Sequence, residues 1–243
     1  MSTAAAPYPH QLRLAGQVHV ADGPLDMSGM YVLHHAFRRD LDRFAAAVRA
    51  TPVDDAEVWR ALQVRWARFG AMLHHHHGVE DTSIWPPLTA LIRAAGDTAG
   101  LATVAAMHAE HQTIDPQLAA CAAGFAGLVE SPDPVARERL ATLLETTREG
   151  LLRHLAHEET EALPLVQRYL PADAWQHSEQ IAKRTFGLRQ LGYLVPWAAA
   201  GLGPEALERT FGEVGWPFRV LFRATRGRFA RSEAVAFRHA PAG

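Results

Sequence analysis

The feature that most constrains this chain is a pattern written twice. His76-His77-Gly78-Val79-Glu80-Asp81 leads through Ile84-Trp85 to Pro86, and His154-Leu155-Ala156-His157-Glu158-Glu159 leads through Leu163 to Pro164. In each, a histidine stands four residues before a glutamate, a second acid follows, and a proline is expected to stop the segment. Four residues is about one helical turn, so His76/Glu80 and His154/Glu158 each project from one helix face. An imidazole and a carboxylate so placed can hold a transition metal, and two such pairs facing each other can hold two.

The rest of the chain supplies a scaffold for that pairing. Residues 1–27, with Pro7, Pro9, Gly16, Gly23 and Pro24, read as an extended arm. A first helix opens at Ser28, carries Tyr31, His34, Phe37, Leu41, Phe44 and Val48 on one stripe, and ends at Thr51-Pro52. Asp54 and Glu57 outline a capping box for a second helix, which carries Leu62, Trp66, Phe69 and Leu73 toward His76. A short piece, 88–95, follows Pro86-Pro87. A third helix holds Val104, Met107, His111, Ile114 and Leu118, with Pro116 expected to kink it or to mark a restart. Pro134 suits the first position of a fourth helix, which runs through Leu140, Leu144 and Leu151 to His154.

The layout is an internal repeat: His34 to His76 is 42 residues, and His111 to His154 is 43. His34 lies 17 residues before Thr51, His76 22 after Asp54, His111 19 before Glu130 and His154 20 after Pro134. At about 1.5 Å per residue the arms are roughly 25–33 Å long, so four histidines reach one level of an up-down-up-down four-helix bundle. The expected class is all-α, with residues 28–170 as the bundle and 171–243 as an additional C-terminal helical segment. Burying imidazoles and carboxylates at one level costs several kcal/mol each unless they pair or ligate a cation. His34, His76, Glu80, His111, His154 and Glu158 are therefore the candidate ligands of two metal ions, the glutamates bridging. Mixed imidazole and carboxylate ligation suits iron, with manganese or zinc as alternatives. No Glu-x-x-His and no His-Glu-x-x-His occurs, which excludes the ferritin-like and zinc-protease patterns.

On these residues the chain resembles the hemerythrin family, specifically the bacterial hemerythrin-like HHE cation-binding domains. The resemblance rests on His34 with Phe37 and Leu41, on His111 with Ile114 and Leu118, and on the two His-x-x-x-Glu segments with their prolines. It implies a four-helix bundle with a non-haem, oxo- or hydroxo-bridged di-iron site. Oxygen-carrying members place a His-x-x-x-His pair on the third helix, whereas here the residue four before His111 is Met107. The four-His, two-Glu set is similar instead to di-iron proteins linked to iron–sulfur repair and nitric oxide stress. The implied function is binding and processing of oxygen, nitric oxide or peroxide, with an electron donor not identified by the sequence. The alternatives are a non-catalytic iron or oxygen sensor or iron-delivery module, and a di-iron oxygenase whose tail builds a substrate pocket.

Neighbouring residues have secondary readings. His34 is favoured over His35 by phase, and Tyr31 reads as a core tyrosine. His74, His75, His77 and His157 read as surface or supporting groups, and His108 as an extra ligand, a supporting donor or an ordinary histidine. Asp81 and Glu159 are candidates for orienting ligand imidazoles. Cys121 reads as a small core residue; as the only cysteine it rules out an internal disulfide and suits a reducing cytoplasm.

The net charge of -2 gives no argument for nucleic acid, and no stretch has the length of a transmembrane span. From Ile181 onward ten Lys/Arg stand against four glutamates. That basic, aromatic-rich extension is expected to pack on the bundle or to mediate a homodimer; sharper readings are a cap over the site or a basic face for an acidic partner or anionic membrane.

Overall fold

Local signals set most of the helix ends in the computed structural model, which describes residues 8–184 and 187–241. Helix α1 (Ser28–Ala50) begins where the sequence placed it. Helix α2 (Ala56–Val79) is capped by Asp55, whose side chain accepts from Val58 N at 3.2 Å, one residue later than a box begun at Asp54 would sit. Asp97 caps α4 (Thr98–Glu130) by accepting from Gly100 N at 2.9 Å. Asp133 caps α5 (Pro134–His157), with Pro134 at its start, where a missing N–H costs nothing.

The prolines do not end the two His-x-x-x-Glu segments. α2 passes through a π-helical turn, Glu80–Ile84, into α3 (Trp85–Ala94), and α5 passes through a second, Glu158–Ala162, into α6 (Leu163–Tyr169). Each widened turn is closed by a backbone bond to the glutamate carbonyl, from Trp85 N and from Leu163 N. A proline ring crowds the carbonyl four residues back and donates no hydrogen bond. The extra residue in a π turn relieves that crowding, and the helix resumes with Pro86 or Pro164 in its first turn. α4 runs unbroken through Pro116, so the restart considered for that position does not occur.

α1 packs against α2 and α5, α2 against α4, and α4 against α5, closing a ring of four helices. Two apolar clusters fill it. One contains Phe37, Phe44, Trp66, Phe69, Phe125 and Leu144; the other contains Tyr31, Ile84, Trp85, Met107, Leu163 and Val166. The polar level falls between them: His34 lies between Tyr31 and Phe37 on α1, and His111 between Met107 and Ile114 on α4. Water is thus excluded from above and below, which strengthens every electrostatic interaction inside.

The arm closes one end of the bundle. Leu12, Ala21, Leu25 and Met27 are buried, and Gln167 holds the arm by donating to Ala21 O at 3.0 Å and accepting from Leu25 N at 2.9 Å. After α6 come α7 (Ala172–Arg184), α8 (Leu188–Ala199), α9 (Pro204–Val214) and α10 (Trp216–Ala236). α7 lies on α2 and its π turn, α8 on α1, and α10 on α2 and α8.

Buried polar contacts fix this extension. Trp197 donates its indole N–H to Asp40 at 2.7 Å, and Arg39 donates to the carbonyls of Trp197 and Ala200. Arg65 spans Asp40 and Glu233, and Arg43 also reaches Glu233. No described helix is long and apolar enough to cross a membrane.

Candidate metal centre

All six side chains expected from the sequence come together. α1 supplies His34, α2 His76, the first π turn Glu80, α4 His111, α5 His154 and the second π turn Glu158, none more than 6% exposed. Glu80 spans the cage: one oxygen lies 3.0 Å from His76 Nε2 and the other 3.4 Å from His111 Nε2. Glu158 lies 3.2 Å from His34 Nε2. Ligand atoms of His34, His76 and Glu158 lie within 4.8 Å of one another, as do those of Glu80, His154 and Glu158. The two carboxylates therefore stand between a His34/His76 side and a His111/His154 side.

A further imidazole joins them that sequence phase had placed at the surface or in support. His77 is 3% exposed, its ring stacked on His111 at 4.0 Å between centroids and edge-on to His154 at 5.3 Å. Ligand atoms of His77, His111 and His154 again lie within 4.8 Å of one another. The reason is geometric. α2 packs on both α1 and α4, so its inward arc is wide enough for consecutive residues, about 100° apart, to point inward. His76 meets His34 of α1, and His77 meets His111 of α4.

A ring of carboxylates grips the imidazoles from behind. His34 Nδ1 lies 2.9 Å from Glu159, His111 Nδ1 3.1 Å from Asp81, and His154 Nδ1 2.8 Å from Glu110. An ionised carboxylate only accepts, so each Nδ1 donates and each Nε2 lone pair is left facing inward. Asp81 and Glu159 thus occupy the orienting positions considered from sequence. Glu110 was missed, although its place beside His111 was a signal. Missed also was Arg38, which donates to Glu159 at 2.6 Å. Glu159 receives Val18 N at 2.8 Å as well, tying the arm to the centre.

Other nearby groups are accounted for. The Tyr31 hydroxyl accepts from Ala21 N at 2.8 Å, and burial pushes its pKa up to about 12. His35 Nδ1 bonds Ala15 O at 3.2 Å, His75 Nε2 bonds Ala182 O at 3.2 Å, and His108 lies at the surface 3.3 Å from Asp81. His157 shares Glu110 with His154. Cys121 is buried 3.5 Å from the Thr147 hydroxyl.

The donor set fits a cation. Nε2 of His34, His76, His77, His111 and His154 and all four oxygens of Glu80 and Glu158 are buried without a hydrogen-bond partner. Such a collection of acceptors and charges is several kcal/mol per group out of balance unless a positive charge sits among them. Protons are one source. Burial opposes charge on His34, yet Glu158 and Glu159 outweigh it and push its pKa up to about 9. Burial likewise opposes charge on His111, and Glu80 with Asp81 pushes it up to about 9. For His77 burial dominates and lowers the pKa, so the ring stays neutral and keeps its lone pair. Burial raises Glu80, but His76 and His111 hold it well below the carboxylate range.

A ring of antiparallel helices with imidazoles and carboxylates turned inward on a dry core defines a cation-binding helical domain. The model of the hemerythrin HHE cation-binding domain matches residues 28–166, and the chain belongs to that family. No curated protein and no solved structure gave a match.

Proposed function

We propose that the chain is a hemerythrin-like non-haem di-iron protein that binds and processes dioxygen, nitric oxide or peroxide. The observation that carries this reading is the set of buried, unpartnered Nε2 and carboxylate atoms turned toward one another between two apolar layers. His34 and His76 would hold one ion and His111 and His154 the other, with Glu80 and Glu158 shared. His77 would join the second ion, giving it a third imidazole and leaving the His34/His76 ion with fewer protein ligands. Two iron ions there would supply one-electron redox steps and open positions for a diatomic ligand or peroxide.

The chain's own residues do the rest. Glu159, Asp81 and Glu110 hold the Nδ1 protons of His34, His111 and His154, fixing each ring's tautomer and angle. Tyr31, Met107, Phe37 and Ile114 keep bulk water from both faces of the polar level.

Metal analysis and absorption spectra before and after reduction test this directly. Two irons per chain, and peroxide decomposition or nitric oxide consumption by the purified protein, are expected. His154→Ala and Glu80→Ala are each expected to lower the iron content; two irons retained in both would refute the ligand assignment.

A further inference from the structure

Between the bundle and its C-terminal extension lies a cavity of about 390 Å³, partly open to solvent, with His76 and Glu80 in its wall. Its floor is α1 and α2, where Leu33, Phe37 and Met72 line it beside His76 and Glu80. Its roof is the extension: Leu191, Leu194 and Val195 of α8, Phe211 of α9 and Phe218 of α10. The volume is within the range of small-molecule pockets, roughly 300–1,000 Å³.

We infer that this chamber is the binding site for one apolar organic molecule of about a dozen non-hydrogen atoms, lying against the His76–Glu80 edge of the cage. The inference rests on the di-metal reading and adds an organic molecule beside the diatomic ligand or peroxide of that centre. Three observations carry it.

The polar groups of the wall are few. They are His75, His76 and Glu80 on α2 and its π turn and Ser178, Glu179, Lys183 and Thr210 on α7 and α9, and the other lining residues are apolar or glycine. Water over that apolar lining, about a dozen molecules at roughly 30 Å³ each, finds few protein partners, so an apolar molecule that displaces it is favoured.

The roof is anchored rather than loosely apposed. Trp197 bonds to Asp40 while also lining the chamber, Arg209 in the middle of α9 bonds to the Ser28 hydroxyl at 3.2 Å, and Arg65 grips Glu233 of α10. The helices are fixed around a space that their side chains leave unfilled.

The floor leaves room on α1 as well. Gly29, exposed in the first turn of α1, marks the outer edge of the chamber, and a Cβ there would meet nothing within 4 Å. From Gly29 to Phe37 the floor runs eight residues, or about 12 Å along α1. That is the shape of an alkyl chain or a narrow ring system.

The test titrates the metal-loaded protein with n-decanol, following tryptophan fluorescence, since Trp175 and Trp197 line the chamber. Saturable binding of one equivalent is expected, together with a shift in the absorption of the loaded centre. Gly29→Ala is expected to bind as the wild type does. Leu194→Trp, which enlarges a side chain of the roof, is expected to bind at least tenfold more weakly while keeping its helix content and metal equivalents. Metal loading without saturable alcohol binding overturns the chamber and leaves the centre standing. Undiminished binding by a folded Leu194→Trp also overturns the chamber, and failure to load metal overturns both readings.

Discussion

Glu159→Gln separates what a ligand imidazole needs from what the fold needs. Glu159 is fully buried, and three donors converge on it: His34 Nδ1 at 2.9 Å and Arg38 at 2.6 Å on one oxygen, Val18 N at 2.8 Å on the other. Burial alone would raise its pKa, but His34 and Arg38 bring it down to about 2, so it is a carboxylate throughout any ordinary assay range. Glutamine is nearly the same size and has one acceptor oxygen. With that oxygen toward His34 and Arg38, its NH₂ meets the Val18 N–H; turned around, it meets His34 and Arg38. Either way an acceptor and a full negative charge are lost beside the imidazole. Removing a carboxylate that holds a ligand histidine costs about 10–100-fold in metal affinity, or about 1.4–2.8 kcal/mol.

The loss should fall on one half of the centre. His34 is on the His76 side, while His154 is held independently by Glu110 at 2.8 Å. Anaerobic competition of Fe(II) or Co(II) against a chelator should therefore show one equivalent weakened by that factor and the other close to wild type. A folded Glu159→Gln protein that binds both equivalents as tightly as the wild type would refute the argument that this carboxylate sets the His34 ring.

Three further outcomes follow from the same geometry. Arg65→Ala leaves Asp40 and Glu233 buried without their shared partner; a loss of about 3–5 kcal/mol is expected from urea unfolding, with early protease cleavage in α8–α10, and an unchanged midpoint would refute it. Burial raises the pKa of Asp40, but Arg65, Arg39 and Trp197 bring it below 3.8. Its stabilising contribution is therefore present above pH 3.8 and is lost as pH falls through the depressed value; the stability difference between wild type and Asp40→Asn should shrink only on acidification below that range. Burial pushes the Cys121 thiol up to about 11, so it should resist a disulfide reagent at pH 8 in the native protein and react fully once unfolded; rapid native labelling would count against its place in the core.

Much of this protein is determined by local chemistry that a sequence displays. Asp97 and Asp133 cap helices, Pro134 opens one, and apolar spacing on α1, α2, α4 and α5 turns four stripes inward; the repeat then sets His34, His76, His111 and His154 at one height. Other features depend on which helix stands beside which. Periodicity assigns one inward residue per turn, so it chose His76 and put His77 outside. Only packing against both α1 and α4 widens the arc of α2 enough to admit the two. The same holds for Glu158 and Glu159, one facing the cage and its neighbour holding His34 from behind, and for Glu110, whose partners lie 44 and 47 residues away on α5. The prolines signalled an ending, yet a π turn absorbs each one because the helix beyond it has apolar residues to bury. The chamber was the least legible feature: its walls are apolar side chains from six helices, and the space between them exists only once Asp40, Arg65 and Arg39 have drawn the extension onto the bundle.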